Sequence, residues 1–178
     1  MSPKYLSTLT EAAAESIASK NNGSKLVFAR NPKEADAIWY SRKVALWSAL
    51  EYVPGSKCWT TDVCECAPVS ARRHLLTPLW RPGVPLGAFP ALLRETKEEV
   101  ASSGIVAPVV SHAGDGNCHF LLLFRDQKEL EVVKKLVHNM VERAQRADGT
   151  ATGEHGVGEG KKAYLQAELG ANTVELLR

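Results

Sequence analysis

Residues 105–124 read Ile105-Val-Ala-Pro-Val-Val-Ser-His112-Ala-Gly-Asp-Gly-Asn-Cys-His119-Phe-Leu-Leu-Leu-Phe124, IVAPVVSHAGDGNCHFLLLF. Two apolar runs, IVAPVV and HFLLLF, flank a short polar centre that holds Gly114 and Gly116. Asp115-Gly116 is a turn dipeptide, and both glycines permit the positive φ that a tight turn demands. Strand, turn, strand is the reading, and it predicts an antiparallel hairpin. A histidine stands at each mouth of the turn, His112 and His119. Strand pairing brings such mouths to within roughly 5 Å, so both rings aim at one point. Two neutral imidazoles converging in this way make a metal half-site. The blander reading, histidines as polar punctuation of a hairpin, stands beside it.

Outward from the hairpin the pattern alternates helix and strand. Asp126 and Glu129 form a capping pattern ahead of a long helix striped by Leu130, Val133, Leu136, Val137, Met140, Val141 and Ala144. On the other side, ALLRETKEEVASSG (from Ala91) is helical and closes on Gly104. Earlier, Thr8 with Glu11 suggests a helix start, KLVFA (from Lys25) a buried strand, and Asn31-Pro32-Lys33-Glu34 a second helix start. That second helix is expected to run on through Arg42 to Ala49, followed by a strand through CWTTDVC (from Cys58). After the long helix, a glycine-rich loop leads into a last helix and the apolar run TVELL. The predicted fold is α+β, an antiparallel sheet with helices packed on one face, in the ferredoxin-like manner.

The chain has 178 residues, a formal net charge of +2, 44% hydrophobic and 24% charged residues. This is the composition of one globular domain, expected over 1–178. So small a charge implies no nucleic-acid or anionic-membrane partner, and no apolar run is long enough to span a bilayer. The N-terminus lacks the apolar core of a secretory signal and the arginine richness of an organelle import signal. Cys58, Cys64, Cys66 and Cys118 lack zinc-module spacing and are expected to be reduced.

Two further places can carry chemistry. TGEHGVGEG, Thr152 to Gly160, sets Glu154 and His155 among four glycines. Glycine at that density lets backbone pass close to a ligand, while a carboxylate and an imidazole offer a metal ligand and an acid/base group. A plain flexible connector is the alternative. Arg42 falls in the apolar stripe of its predicted helix, so its guanidinium needs an anion, internal or bound, unless it snorkels from the margin. Lys57 is placed to share such a pocket.

HAGDGNCH followed by GTATGEHGVGEGKKAYL resembles the C-terminal, substrate-side domain of FAD-linked D-2-hydroxyacid dehydrogenases. WYSRKVALWSALEYVPGSKCWTTDVC most resembles the mitochondrial, cytochrome-linked D-lactate dehydrogenases of fungi among them. The resemblance implies that His112, His119 and Glu154 bind a divalent metal, zinc or manganese. It implies His155 as the catalytic base, and Arg42 and Lys57 as anchors for the carboxylate of a small 2-hydroxy acid. It implies FAD as the cofactor, held mainly by a separate FAD-binding domain, cytochrome c as electron acceptor, and a mitochondrial location. Leu46, one turn after Arg42, stands where diacid-using relatives carry a hydroxyl, which favours a monoacid such as lactate.

The chain departs from that family pattern in two ways. It is expected to be a truncated piece of the domain, without the FAD-binding part. ARRHLLTPLWRPGVPLGA, residues 71–88, interrupts an otherwise continuous pattern with prolines and no period, and is expected to be a non-native insert or disordered loop. A catalytically inactive metal- or partner-binding remnant is therefore the alternative function. A metal hydrolase using Glu154 or His155 is weaker, for want of a nucleophile motif.

Overall fold

A computed structural model of the chain describes residues 3–23, 26–64, 87–153 and 155–176. It divides into two compact units, 1–43 and 44–178.

The first unit holds α1 (Pro3–Lys20) and α2 (Pro32–Lys43). Helix α1 begins ahead of Thr8, so the Thr8–Glu11 pair lies inside the helix and does not open it. Asn31 caps α2 as its sequence suggests, its Oδ1 accepting the Glu34 N–H at 3.0 Å while the Glu34 carboxylate accepts the Arg30 N–H at 2.9 Å. That backbone donor holds the Glu34 carboxyl below its ordinary range. The strand expected from KLVFA does not form: residues 26–29 carry no regular structure and Val27 is 80% exposed. An apolar run this short becomes a strand only where a neighbour completes its ladder.

The second unit opens with α3 (Ala45–Tyr52) and continues through β1 (Lys57–Thr60), β2 (Val63–Cys64), α4 (Phe89–Ser103), β3 (Val109–His112), β4 (Asn117–Phe124), α5 (Gln127–Arg146), α6 (Gly158–Leu169) and α7 (Ala171–Leu176). The single helix expected from Pro32 to Ala49 is broken at Val44, which leaves Arg42 at the end of α2 and Ala49 in α3. Thr173 to Leu176 of TVELL fall within α7 instead of standing as a separate run.

The predicted hairpin forms. A three-residue 3-10 turn, Ala113–Asp115, joins β3 to β4, and Gly116 takes the left-handed conformation at φ 65. β4 is the middle of the sheet. β3 pairs along one side of it, Val109 opposite Phe120 and His112 opposite Asn117. β1 and β2 pair along the other in one unbroken register, Thr60 opposite Leu121 and Val63 opposite Cys118. All pairs are antiparallel, as expected for an α+β fold of this type.

Strand alternation then sorts β4 into two faces. Cys118, Phe120 and Leu122, each 1% exposed or less, point into the main core. There Phe89, Leu92 and Val100 of α4 and Val133, Leu136, Met140, Val141 and Ala144 of α5 cover them. The stripe read from the sequence of α5 is its buried face. Asp126 caps α5, accepting the Glu129 N–H at 2.8 Å, and α4 ends on Gly104 at φ 76. Leu121 and Leu123 point the other way, against Ala49 and Val53 at the end of the α3 segment. His119 follows them on that same face.

Candidate functional site

The second face of β4 changes character halfway along. Leu123 and Leu121 are sealed, and the next residue on that face is His119, 9% exposed. His112, opposite Asn117, shares the face, one row beyond His119. The two histidines are therefore diagonal neighbours and not a directly opposed pair. Their ring centroids stand 6.3 Å apart and nearly perpendicular. Of the two turn glycines, Gly116 has the positive φ and Gly114 does not.

The glycine-rich loop brings a third imidazole to the same place. The His155 ring centroid is 5.3 Å from that of His119, again edge to face. What holds the loop is Asp62, a residue that the sequence reading passed over as one position in a strand. Asp62 lies opposite His119 in the continuous β1–β2 register and is 3% exposed. Its Oδ2 accepts the His155 backbone N–H at 2.8 Å and pairs with Lys161 Nζ at 3.4 Å. Its main-chain carbonyl accepts the Gly153 N–H at 3.1 Å. One aspartate thus fastens the loop at two points, and the α6 lysine balances its buried charge. The only sequence signal was a polar run, Thr60-Thr61-Asp62, between Trp59 and Val63 in an otherwise apolar strand.

Donor atoms of Asp62, His119 and His155 lie within 4.8 Å of one another. That spacing admits a cation, yet the local chemistry casts Asp62 as an anchor. His119 Nδ1 lies 2.9 Å from the Thr61 carbonyl, which can only accept, so Nδ1 carries the proton and Nε2 keeps its lone pair. On the same face the Asn117 amide oxygen is buried with no hydrogen-bond partner among the described residues. Beyond Leu121, burial pushes the Cys58 thiol above its ordinary pKa.

The other expected site residues fall as follows. Glu154 and nearly all of the proline-rich stretch, residues 71–86, lie outside the described residues. Arg42 is half-buried near the end of α2, in the first unit. Lys57 is not brought to the histidines. It opens β1 opposite Phe124, five residues along β4 from His119 or about 17 Å, and alternation assigns it to the opposite face.

Comparison with known proteins matches this architecture to one family. The pattern of "FAD linked oxidases, C-terminal domain" matches residues 3–76 and 83–178. The chain is 37% identical to D-lactate dehydrogenase [cytochrome] 1, mitochondrial, of Saccharomyces cerevisiae, over 99% of this chain and 27% of that protein. It is 38% identical to the mitochondrial D-lactate dehydrogenase [cytochrome] of Kluyveromyces lactis, over 92% of this chain and 26% of the relative. For the Arabidopsis thaliana protein of the same description the identity is 36%, with coverage of 92% and 26%. The chain thus spans about a quarter of the length of these relatives.

Proposed function

Because the chain belongs to the FAD-linked oxidase C-terminal domain family, we propose that it is the substrate-side part of an FAD-dependent oxidoreductase that converts D-lactate, a D-2-hydroxy acid, to pyruvate. In that reaction the alcohol carbon gives up a hydride and its oxygen a proton, and the C–O single bond becomes C=O. The observation that carries the reading is the gathering of His112, His119 and His155 on one sheet face, with neighbouring ring centroids 6.3 and 5.3 Å apart.

The residues present fit both groups that the family implies. His119 keeps Nε2 for a ligand, the buried Asn117 oxygen lies on the same face, and two imidazoles with a carboxylate suit zinc or manganese alike. Gly156 and Gly158 have positive φ and open space where a side chain would stand, so a flat ring can lie close to that backbone. When bound, a flavin accepts the hydride and a divalent cation lowers the pKa of the substrate hydroxyl.

The roles of the chain's own residues follow. His112, His119 and Glu154 would hold the cation. His155, exposed on its glycine loop and fixed through its backbone N–H, receives the hydroxyl proton on its imidazole. Arg42, in the first unit, is kept as an anchor for a substrate carboxylate on the family resemblance alone. Lys57, whose strand position lies on the face away from the histidines, is kept as the second carboxylate anchor on the same resemblance. A cytochrome as electron acceptor and a mitochondrial location complete the proposal, and both are what the relatives' names describe for those proteins.

The test replaces the matched segment of the Saccharomyces relative with this chain and measures D-lactate-dependent reduction of an artificial acceptor. Turnover is expected, with kcat lowered roughly 10²–10⁴-fold by His155→Ala. Zinc or manganese affinity should fall by orders of magnitude in His112→Ala and Glu154→Ala. A chimera that binds flavin and metal but does not turn over D-lactate sinks the proposal in favour of a metal-binding remnant.

A further inference from the structure

β1 and β2 share one register along β4, yet regular pairing pauses between them at Thr61 and Asp62. The hydrogen bonds explain the pause. A residue pair of this kind in an antiparallel ladder exchanges two N–H···O=C bonds. Thr61 and Phe120 make the first, Thr61 N–H donating to the Phe120 carbonyl at 3.1 Å. The return bond is diverted. Phe120 N–H donates at 2.9 Å to the Thr61 side-chain hydroxyl, Oγ1, instead of to the Thr61 carbonyl. The carbonyl so released receives His119 Nδ1 at 2.9 Å. Thr61 is 4% exposed, so neither exchange can be handed over to water without cost.

We propose that Thr61 is a positioning residue: by lending its hydroxyl to the sheet ladder it frees its carbonyl to fix the tautomer and ring direction of His119. Every element of the arrangement depends on one oxygen. An acceptor is needed one bond beyond Cβ, which serine and threonine supply and valine does not. Without it, Phe120 N–H reclaims the carbonyl, His119 Nδ1 is left facing the more distant Asp62 Oδ1 at 3.9 Å, and the Thr61 carbonyl no longer decides which nitrogen keeps the lone pair. The imidazole that closes the hairpin is thereby coupled to a strand about sixty residues earlier in the chain, by a route that leaves the ladder fully bonded. Only the metal arm of this inference rests on the proposed role of His119 as a ligand.

The experiment uses the 178-residue chain, free of metal, with histidine-ring ¹⁵N spectra at a pH where His119 is neutral, in the parent, Thr61→Val and Thr61→Ser. In the parent, His119 is expected to carry its proton on Nδ1. Thr61→Ser should keep that signature. Thr61→Val should shift His119 to the Nε2–H form or to exchange between the two, with the Leu121 and Leu123 amides unmoved as the check on the fold. Zinc and manganese affinity should fall about 10–100-fold in the valine variant and stay near parental in the serine variant. A parent whose His119 carries its proton on Nε2 overturns the proposal, and this holds even if the valine chain does not fold. So does a folded valine variant with an unchanged His119 spectrum. A valine-induced tautomer change in a chain that binds neither metal leaves the role of Thr61 standing and overturns the metal reading instead.

Discussion

The two faces of β4 are built from alternate residues of the same eight, and they obey different rules. Toward α4 and α5 stand Cys118, Phe120 and Leu122, almost fully buried among aliphatic side chains. Toward the other side stand Leu123 and Leu121, and then His119 and Asn117, where the face turns polar. On the first face the energy comes from removing apolar area from water and from close packing. On the second, each buried polar atom must be matched individually, and the matching fixes where the imidazoles stand. A strand of period two can therefore serve a core and a site together without either set of side chains intruding on the other.

The largest effect that distinguishes the faces is on stability. Phe120→Ala opens a cavity at the centre of the helix-covered core, and a loss of about 3–5 kcal/mol is expected in urea or thermal unfolding. His119→Ala, one residue away, should cost far less stability while abolishing most of the metal affinity. If the two losses of stability prove equal, His119 is a packing residue and the division between the faces fails.

The legibility of the molecule divides along the same line. Much that depends on sequence-local pattern was readable: the hairpin with its turn, the stripe of α5, its Asp126–Glu129 cap, and the glycine stop of α4, though the Thr8–Glu11 pair did not mark the start of α1. Whatever depends on a neighbour across the sheet was not. KLVFA has the composition of a strand and no ladder to join. The helix expected through Val44 has a continuous apolar stripe, yet it breaks there. His112 and His119 were legible as a pair because one hairpin carries both. Asp62 and Thr61 were not, because their contacts with His155, His119 and Phe120 span 58 to 93 residues of sequence. A polar run, Thr60-Thr61-Asp62, inside a strand otherwise apolar was their only trace. Lys57 is a further case, since nothing in its local pattern tells that its register opposite Phe124 sets it on the face away from the histidines.

A smaller effect probes the fastening of the second face. Asp62→Ala removes the acceptor for the His155 N–H and the partner of Lys161, and about 1–3 kcal/mol is expected. Global stability cannot say where that loss is felt, so the sharper readout is amide exchange. Protection at His155 should fall tenfold or more, while Leu121 and Leu123, held by the Pro108 and Val106 carbonyls, keep theirs. Uniform loss across β4 would make Asp62 a residue of the sheet and not the clasp of the loop.

The smallest effect is the cleanest on independence. Asp126 caps α5 at its exposed first turn, accepting the Glu129 N–H, while Glu129 in turn accepts the Arg125 N–H at 2.6 Å. Asp126→Ala should cost about 1 kcal/mol, felt through the helix that covers the first face. The histidines lie on the far side of β4, whose backbone is held by strands on both edges, so the cap has no bonded route to them. Metal affinity should therefore stay at the parental value, and the stability losses of Asp126→Ala and Asp62→Ala should add to within about 0.5 kcal/mol in the double variant. Marked non-additivity would mean that α5 and the loop respond as one body. The sheet would then transmit what its alternation otherwise separates.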